Sequence, residues 1–69
     1  MSNFTINIEF LAGTEFSGAV EEAKMLARRM DAAYVCFDFN NTKCSIGQNC
    51  DVKLACKDYA DKKKHICHS

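Results

Sequence analysis

Five cysteines and two histidines are the side chains of this sequence with the most potential for chemistry. A thiol beside an imidazole can act as a nucleophile with its base, and sets of Cys and His side chains bind zinc. Both histidines, His65 and His68, fall within the last five residues. A catalytic pair has to be held to within tenths of an ångström, and chain ends are usually mobile. We therefore expect no catalysis from these residues.

The cysteine spacing supplies only half of a zinc site. Structural zinc usually takes two pairs of ligands, with two to four residues between the members of a pair. Cys67 lies between His65 and His68, but five residues separate Cys50 from Cys56, which is too wide for the second pair. An odd number of cysteines without a signal peptide also argues against a disulfide framework. We expect free thiols and no metal or cofactor, with a zinc-stapled interaction module as an alternative.

Chain length limits what this protein can build. A chain of about 70 residues buries only about 60 % of its unfolded surface, and a ligand pocket is hard to form beside so thin a core. No segment reaches the roughly 20 apolar residues of a membrane span, and the N-terminus does not resemble a signal peptide. We expect one cytoplasmic domain over residues 1–69, with an ordered core at about 3–63 and a flexible tail at 64–69.

Three segments have the pattern of strands. Over residues 3–10 apolar and polar residues alternate, which is typical of a strand with one buried side. The alternation returns over 33–39 and again over 42–46. Asn40–Asn41 between them tolerates the positive φ values that a tight hairpin needs.

Two helices complete the predicted elements. Residues 15–31 carry apolar residues three or four positions apart, as one buried helix face requires. Thr14 can cap this helix, and Asp51 can cap a second one that ends near Lys62–Lys64. The order β-α-β-β-α predicts an α+β fold, with a three-stranded mixed sheet and the first helix packed on one face.

The other face of this sheet is too polar for a core and suits solvent or a partner. It carries Thr5, Asn7, Glu9, Tyr34, Cys36 and Asp38. A three-stranded sheet also has exposed edges, so we expect self-association as a homodimer.

Charge is unevenly distributed along the chain. Residues 1–41 hold six acidic and three basic residues, whereas 42–69 hold three acidic and six basic ones. The lysine-rich C-terminal segment gives a nucleic-acid-binding regulator as an alternative function. A formal net charge of zero and the lack of a recognisable binding module argue against direct nucleic-acid binding.

The predicted hairpin places two aromatic residues around an acid, in the sequence Phe37-Asp38-Phe39-Asn40-Asn41. One interpretation is a core hairpin. The other is a protruding contact in which an exposed aromatic side chain beside Asp38 anchors a protein partner.

Two segments together resemble a family of short bacteriophage proteins. They are EEAKMLARRMD at residues 21–31 and YVCFDFN at residues 34–40. In the family, a helix ending in a Leu-Ala-x-x-Leu-Asp type segment precedes a strand ending Phe-Asp-Phe-Asn-Gly, and here Asn41 stands in place of the glycine. The resemblance covers about residues 15–46. It implies a small phage accessory protein, of the kind that binds and blocks a host protein such as a CRISPR effector or another defence enzyme.

These observations predict a non-enzymatic inhibitor of a host protein, with a nucleic-acid-processing defence complex as its partner. Acidic side chains would mimic nucleic-acid phosphate or cap a basic groove. The predicted partner-binding residues are Glu9, Glu21, Glu22, Asp31, Tyr34, Asp38, Phe39 and Asn40.

Overall fold

The computed structural model describes residues 4–10 and 13–68. Within these ranges the chain forms four strands and two helices in the order β-α-β-β-α-β. They are β1 (Thr5–Asn7), α1 (Phe16–Met30), β2 (Tyr34–Phe39), β3 (Thr42–Ile46), α2 (Val52–Ala60) and β4 (His65–His68). The small α+β class predicted from the sequence is confirmed.

The strands form one mixed sheet in the order β1-β2-β3-β4. β1 is parallel to β2, β2 is antiparallel to β3, and β3 is parallel to β4. The predicted three-stranded sheet therefore lacked one strand, because residues 65–68 pair with β3 instead of forming a flexible tail. Ile66 explains the difference, since its side chain is 0 % exposed and belongs to the core.

Most of the buried helical side chains in the core come from α1. Its bounds, Phe16–Met30, agree with the predicted helix at 15–31. The buried side chains on it recur at the expected three-four spacing and are mostly alanine. They are Phe16, Ala19, Val20, Ala23 and Ala27. Small side chains let the helix lie close to the sheet, so the core is thin but continuous.

Both helices lie on the same face of the sheet within the described residues. The stacked rings of Phe16 on α1 and Tyr59 on α2 are 4.2 Å apart. Strands β1 and β2 point one way, and β3 and β4 point the opposite way. Because the strand order is β1-β2-β3-β4, β2 lies on the same side of β1 as β4 does of β3. With both helices on one face, the two β-α-β crossovers must have opposite hands. One of them is therefore left-handed, although about 98 % of such connections are right-handed.

The turns show which local predictions were right. Asn40 and Asn41 have φ values of 48° and 67°, as a tight hairpin with two left-handed residues requires. The residue that precedes α1 as its N-cap is Glu15, not Thr14. Strand β1 covers only Thr5–Asn7, a shorter segment than the alternation over 3–10 predicted.

Asp51 caps α2 as predicted, and the cap gives a first test of the fold. Its Oδ1 accepts hydrogen bonds from the backbone N–H groups of Lys53 at 3.0 Å and Leu54 at 3.4 Å. We expect Asp51→Ala to lower the free energy of unfolding by about 1 kcal/mol in urea titrations, because two N–H groups lose their acceptor. Asp51→Ser, which keeps a side-chain acceptor, should lose much less. Equal losses would show that the cap bond contributes nothing.

Candidate functional site: the open face of the sheet

The face of the sheet opposite the helices is left open by the described residues, and we call it the open face. Strand pairing arranges its side chains in two rows across the sheet. Cys36, Ser45 and Cys67 form one row, and Asp38, Lys43 and His65 form the next. All six are exposed or half-buried, in contrast to the alternate residues of the same strands, which are mostly buried.

The open face is concave and forms a groove of about 800 Å³ that is open to solvent. The side chains of the open face that line it come from all four strands and from the second residue after β1. They are Asn7, Glu9, Cys36, Asp38, Lys43, Ser45 and His65. The row with Asn7, Cys36 and Ser45 is short and uncharged, and the next row is charged or ionisable. The groove is also lined by four apolar residues, Ile8, Phe10, Phe37 and Cys44.

Opposite charges divide the groove lengthwise. Glu9 and Asp38 lie on the β1–β2 side, whereas Lys43 and His65 lie on the β3–β4 side. Asp38 is directly opposite Lys43 in the antiparallel pairing of β2 and β3. A ligand that matched the groove would therefore carry basic groups over β1–β2 and acidic groups over β3–β4.

The reactive side chains of the groove are kept apart. The Sγ of Cys36 lies 3.3 Å from the Oγ of Ser45 on the neighbouring strand. His65 is on β4, and β3 separates it from the strand of Cys36. Neighbouring strands are about 4.8 Å apart, so two strand spacings lie between the backbones of this thiol and imidazole. The arrangement suits the binding of a polar ligand.

Two further thiols are buried on the helix side. Burial raises the pKa of Cys44 to about 11, with smaller effects of Asp38 and Cys36 in the same direction. Burial also raises the pKa of Cys50, against a smaller opposing effect of Lys24. Both thiols stay protonated at neutral pH and act as small apolar core residues. Cys36, which also falls in a predicted strand, lies instead on the open face.

The described residues contain no group of three or more His, Cys, Asp or Glu side chains that could share a metal ion. Strand pairing explains why His65, Cys67 and His68 do not form such a group. Because β4 alternates, His65 and Cys67 point to the open face while His68 points to the helix side. The part of the chain that the structure describes therefore gives no support to the zinc alternative.

Three of the predicted partner-binding residues meet at or near the groove. Glu9 and Asp38 line it, and Tyr34 lies on the same side of β2. The acidic residues Glu21 and Glu22 lie on α1, in the helix layer. The predicted acidic set is therefore split between two sides of the molecule.

Asp31 lies apart from the other acidic residues, at the C-terminal end of α1. It has a left-handed conformation with φ 51°. Its Oδ1 accepts a hydrogen bond of 3.0 Å from the side chain of Gln48. This carboxylate ties the end of α1 to the loop after β3.

The two hairpin residues among the predicted set belong to the core side. The Phe39 ring is half-buried and makes edge contacts with the rings of Phe16 and Tyr59, at 5.4 and 5.5 Å. The Asn40 side-chain amide donates a 2.7 Å hydrogen bond to the Tyr59 hydroxyl. The core-hairpin interpretation therefore describes the structure better than a protruding aromatic anchor.

Sequence reasoning missed a cluster that fastens β4 to α2. The Asp58 carboxylate accepts a hydrogen bond of 2.8 Å from His68 Nε2 and pairs with Lys63 Nζ at 3.3 Å. The His68 bond, and to a smaller degree Lys63, hold the pKa of Asp58 below its ordinary value against a weaker opposing effect of burial. The sequence feature that could have predicted this strand is the alternation of polar and apolar residues in His65-Ile66-Cys67-His68, which fits a short strand.

This cluster predicts an acid-dependent loss of stability. Because the folded-state pKa of Asp58 is lowered, this carboxylate contributes its full stabilisation of the fold above its ordinary pKa of 3.8. That stabilisation is lost as pH falls through the lower folded-state pKa. The melting temperature measured from pH 6 downward should show this loss. Asp58→Asn should reduce the slope of melting temperature against pH. Asp61→Asn removes an exposed carboxylate beyond the same helix and serves as the control. Identical slopes for wild type and Asp58→Asn would contradict the assignment.

Comparison with known proteins gives no match. No family model, no curated protein and no solved structure matches this chain. Neither helix of the described part has the length and apolar composition to cross a membrane. The interpretation of the open face therefore rests on its own geometry.

Proposed function

We propose that this chain is a non-enzymatic binding protein that recognises another protein through the open face of its sheet. The observation that carries the proposal is the groove of about 800 Å³, which combines a short polar floor with oppositely charged sides. The proposed partner segment presents basic side chains to Glu9 and Asp38, acidic ones to Lys43, and a hydrogen-bonding group to His65.

The floor of the groove supports a macromolecular ligand. Asn7, Cys36 and Ser45 are short, so the side chains of a partner can reach close to the strands. Cys36 and Ser45 lie on the interior strands β2 and β3, whose backbone groups pair within the sheet, so recognition at these residues falls to side chains. Charged pairs around such a floor set orientation and on-rate more than affinity.

The proposal includes the absence of catalysis. Size is the first support, because a chain of about 70 residues has little interior left for an enclosed reaction site. The second support is the separation of Cys36 from His65 by a whole strand. A binding protein needs neither an enclosed pocket nor a nucleophile.

The narrower proposal is that the partner is a host protein blocked by a phage product, in particular a CRISPR effector or another defence complex. The resemblance of residues 21–31 and 34–40 to short phage proteins is its support. The charges of the groove are compatible with it, because defence complexes that process nucleic acid carry basic surfaces that Glu9 and Asp38 could cover. Host cytosol is the corresponding location.

Affinity purification from bacterial lysate with mass spectrometry tests the proposal. The wild-type chain should retain a specific protein, and Asp38→Lys should lose it because the acidic side of the groove is reversed. Glu21→Lys makes the same change of charge on α1, away from the groove, and should retain the protein. Equal recovery with both variants would exclude the open face. Retention of proteins unrelated to defence would contradict the narrower proposal alone.

A second candidate function has one observation in its favour. Lys43 lies beside His65 in the β3–β4 register, and its backbone N–H donates to the Lys64 carbonyl at 3.0 Å. The backbone of Lys64 therefore lies beside Lys43, and the side chains of Lys62 and Lys64 are exposed. If this end binds nucleic acid, affinity should fall steeply with added salt. Unchanged binding by a Lys62→Ala/Lys64→Ala variant would exclude it.

A further inference from the structure

The sheet is covered less well at β1 than at its centre. α1 packs across β2 and β3, where Val35 and Ile46 are 0 % exposed. Ile6 and Ile8 face the helix side from β1 and the residue after it, but remain half-buried. The space between β1 and α1 forms a groove of about 270 Å³. It is lined by Ile8, Glu22, Met25, Leu26 and Arg29.

Large apolar side chains gather around this second groove. Met25, Met30 and Phe4 are 58 %, 51 % and 44 % exposed, and they are three of the four exposed large hydrophobic residues in the described part of the chain. Met30 follows Leu26 by one helical turn. The Phe4 carbonyl accepts a 2.9 Å hydrogen bond from the N–H of Ala33, which places Phe4 near the end of α1. Met25 lines the groove, whereas Met30 and Phe4 are not among its lining residues; exposed apolar side chains that cluster mark interaction surfaces.

The charges beside the patch have a self-complementary order. Glu22 precedes Met25 by three residues, and Arg29 follows Leu26 by three, and all four line the same groove. Two α1 helices that lie antiparallel, with a two-fold axis at Met25–Leu26, bring each Glu22 opposite Arg29 of the partner subunit. A two-fold interface requires this property, because every contact in it occurs twice.

We infer that the groove between β1 and α1 joins two copies of this chain into a symmetric dimer with antiparallel α1 helices. The second copy is the occupant because the order of acid, apolar pair and base matches itself when reversed. Met25 and Leu26 supply the apolar centre, and the two Glu22–Arg29 pairs close its sides. The interface lies on the helix side, so the open face remains free and the inference does not depend on the proposed function.

Analytical ultracentrifugation over a range of concentrations tests the dimer, in reducing buffer to exclude disulfide-linked species. Glu22→Arg and Arg29→Glu each place like charges opposite one another twice and should raise the dissociation constant about tenfold or more. The double variant Glu22→Arg/Arg29→Glu restores opposite charges and should restore the wild-type constant to within about threefold. Asp61→Arg, which makes a comparable charge reversal at an exposed residue after α2, should leave it unchanged.

Other outcomes would overturn the inference. A wild-type chain that stays monomeric at millimolar concentration has no such interface. A dimer that neither single variant weakens uses another surface, and one that the double variant fails to restore lacks the antiparallel pairing. Met25→Lys gives a second test, because it removes the apolar centre and should also abolish the dimer. Far-UV circular dichroism and thermal unfolding of each variant establish that the fold is retained.

Discussion

Ile66→Ala is expected to lower the free energy of unfolding by about 2–5 kcal/mol, the cost of deleting most of a buried isoleucine and leaving a cavity. Ile66 is 0 % exposed and pairs with Cys44 in the β3–β4 register. A domain of about 70 residues has only a few kcal/mol of stability to lose. The variant should therefore be largely unfolded at 37 °C, as measured by circular dichroism and urea titration.

The control for this prediction is the next residue. Cys67→Ala removes a side chain from the open face, where it is exposed, and should change stability by less than about 0.5 kcal/mol. Similar small effects of both substitutions would mean that β4 does not pack on the core. The chain would then have the flexible tail that was predicted for residues 64–69.

Ala23→Leu is expected to destabilise the fold by about 1–3 kcal/mol, because three added carbon atoms must enter a closely packed layer. Ala19, Ala23 and Ala27 are each 0 % exposed and face the sheet from α1. Their small side chains set the distance between helix and sheet, so a larger one must push the two layers apart. Urea unfolding at neutral pH in reducing buffer gives the measurement.

Ser17→Leu adds a comparable apolar side chain on the exposed side of the same helix. It should leave the free energy of unfolding nearly unchanged, since leucine has a good helix propensity and meets no packed layer there. A stabilising effect of Ala23→Leu would indicate a void between α1 and the sheet instead of close packing.

Local patterns in the sequence were sufficient for the elements that depend on local physics. The three-four spacing from Phe16 to Met30 predicted α1 because a helix needs one continuous buried stripe. Asn40–Asn41 predicted the hairpin because these residues accept positive φ more readily than most. Asp51 predicted the start of α2 through its capping carboxylate.

Tertiary contacts decided the features that sequence reasoning missed. Residues 65–68 form a strand because α2 returns the chain to the edge of β3 and buries Ile66, and neither event is visible in four residues. The sequence left the hairpin open between a core role and an exposed anchor, because the position of Phe39 depends on Phe16 and Tyr59, which are far away in sequence.

Part of the candidate site was predictable from the sequence, and part depended on tertiary contacts. Alternation placed Tyr34, Cys36 and Asp38 on one polar face, and the structure leaves that face open. The basic side of the groove was not predictable, because Lys43 and His65 become neighbours only through the β3–β4 register. The groove between β1 and α1 was also missed, since it follows from where α1 lies across the sheet.

The opposite hands of the two crossovers bear on the ancestry of the fold. Its halves look like a repeated unit, each a strand, a helix and a parallel strand, joined at Asn40–Asn41. Two copies of one unit would have β-α-β crossovers of the same hand. Two such units in this strand order would place their helices on opposite faces of the sheet. Here both helices share one face, so the second half does not repeat the conformation of the first. The apparent symmetry is therefore that of a mirror in the path of the chain, and not the repetition of one conformation.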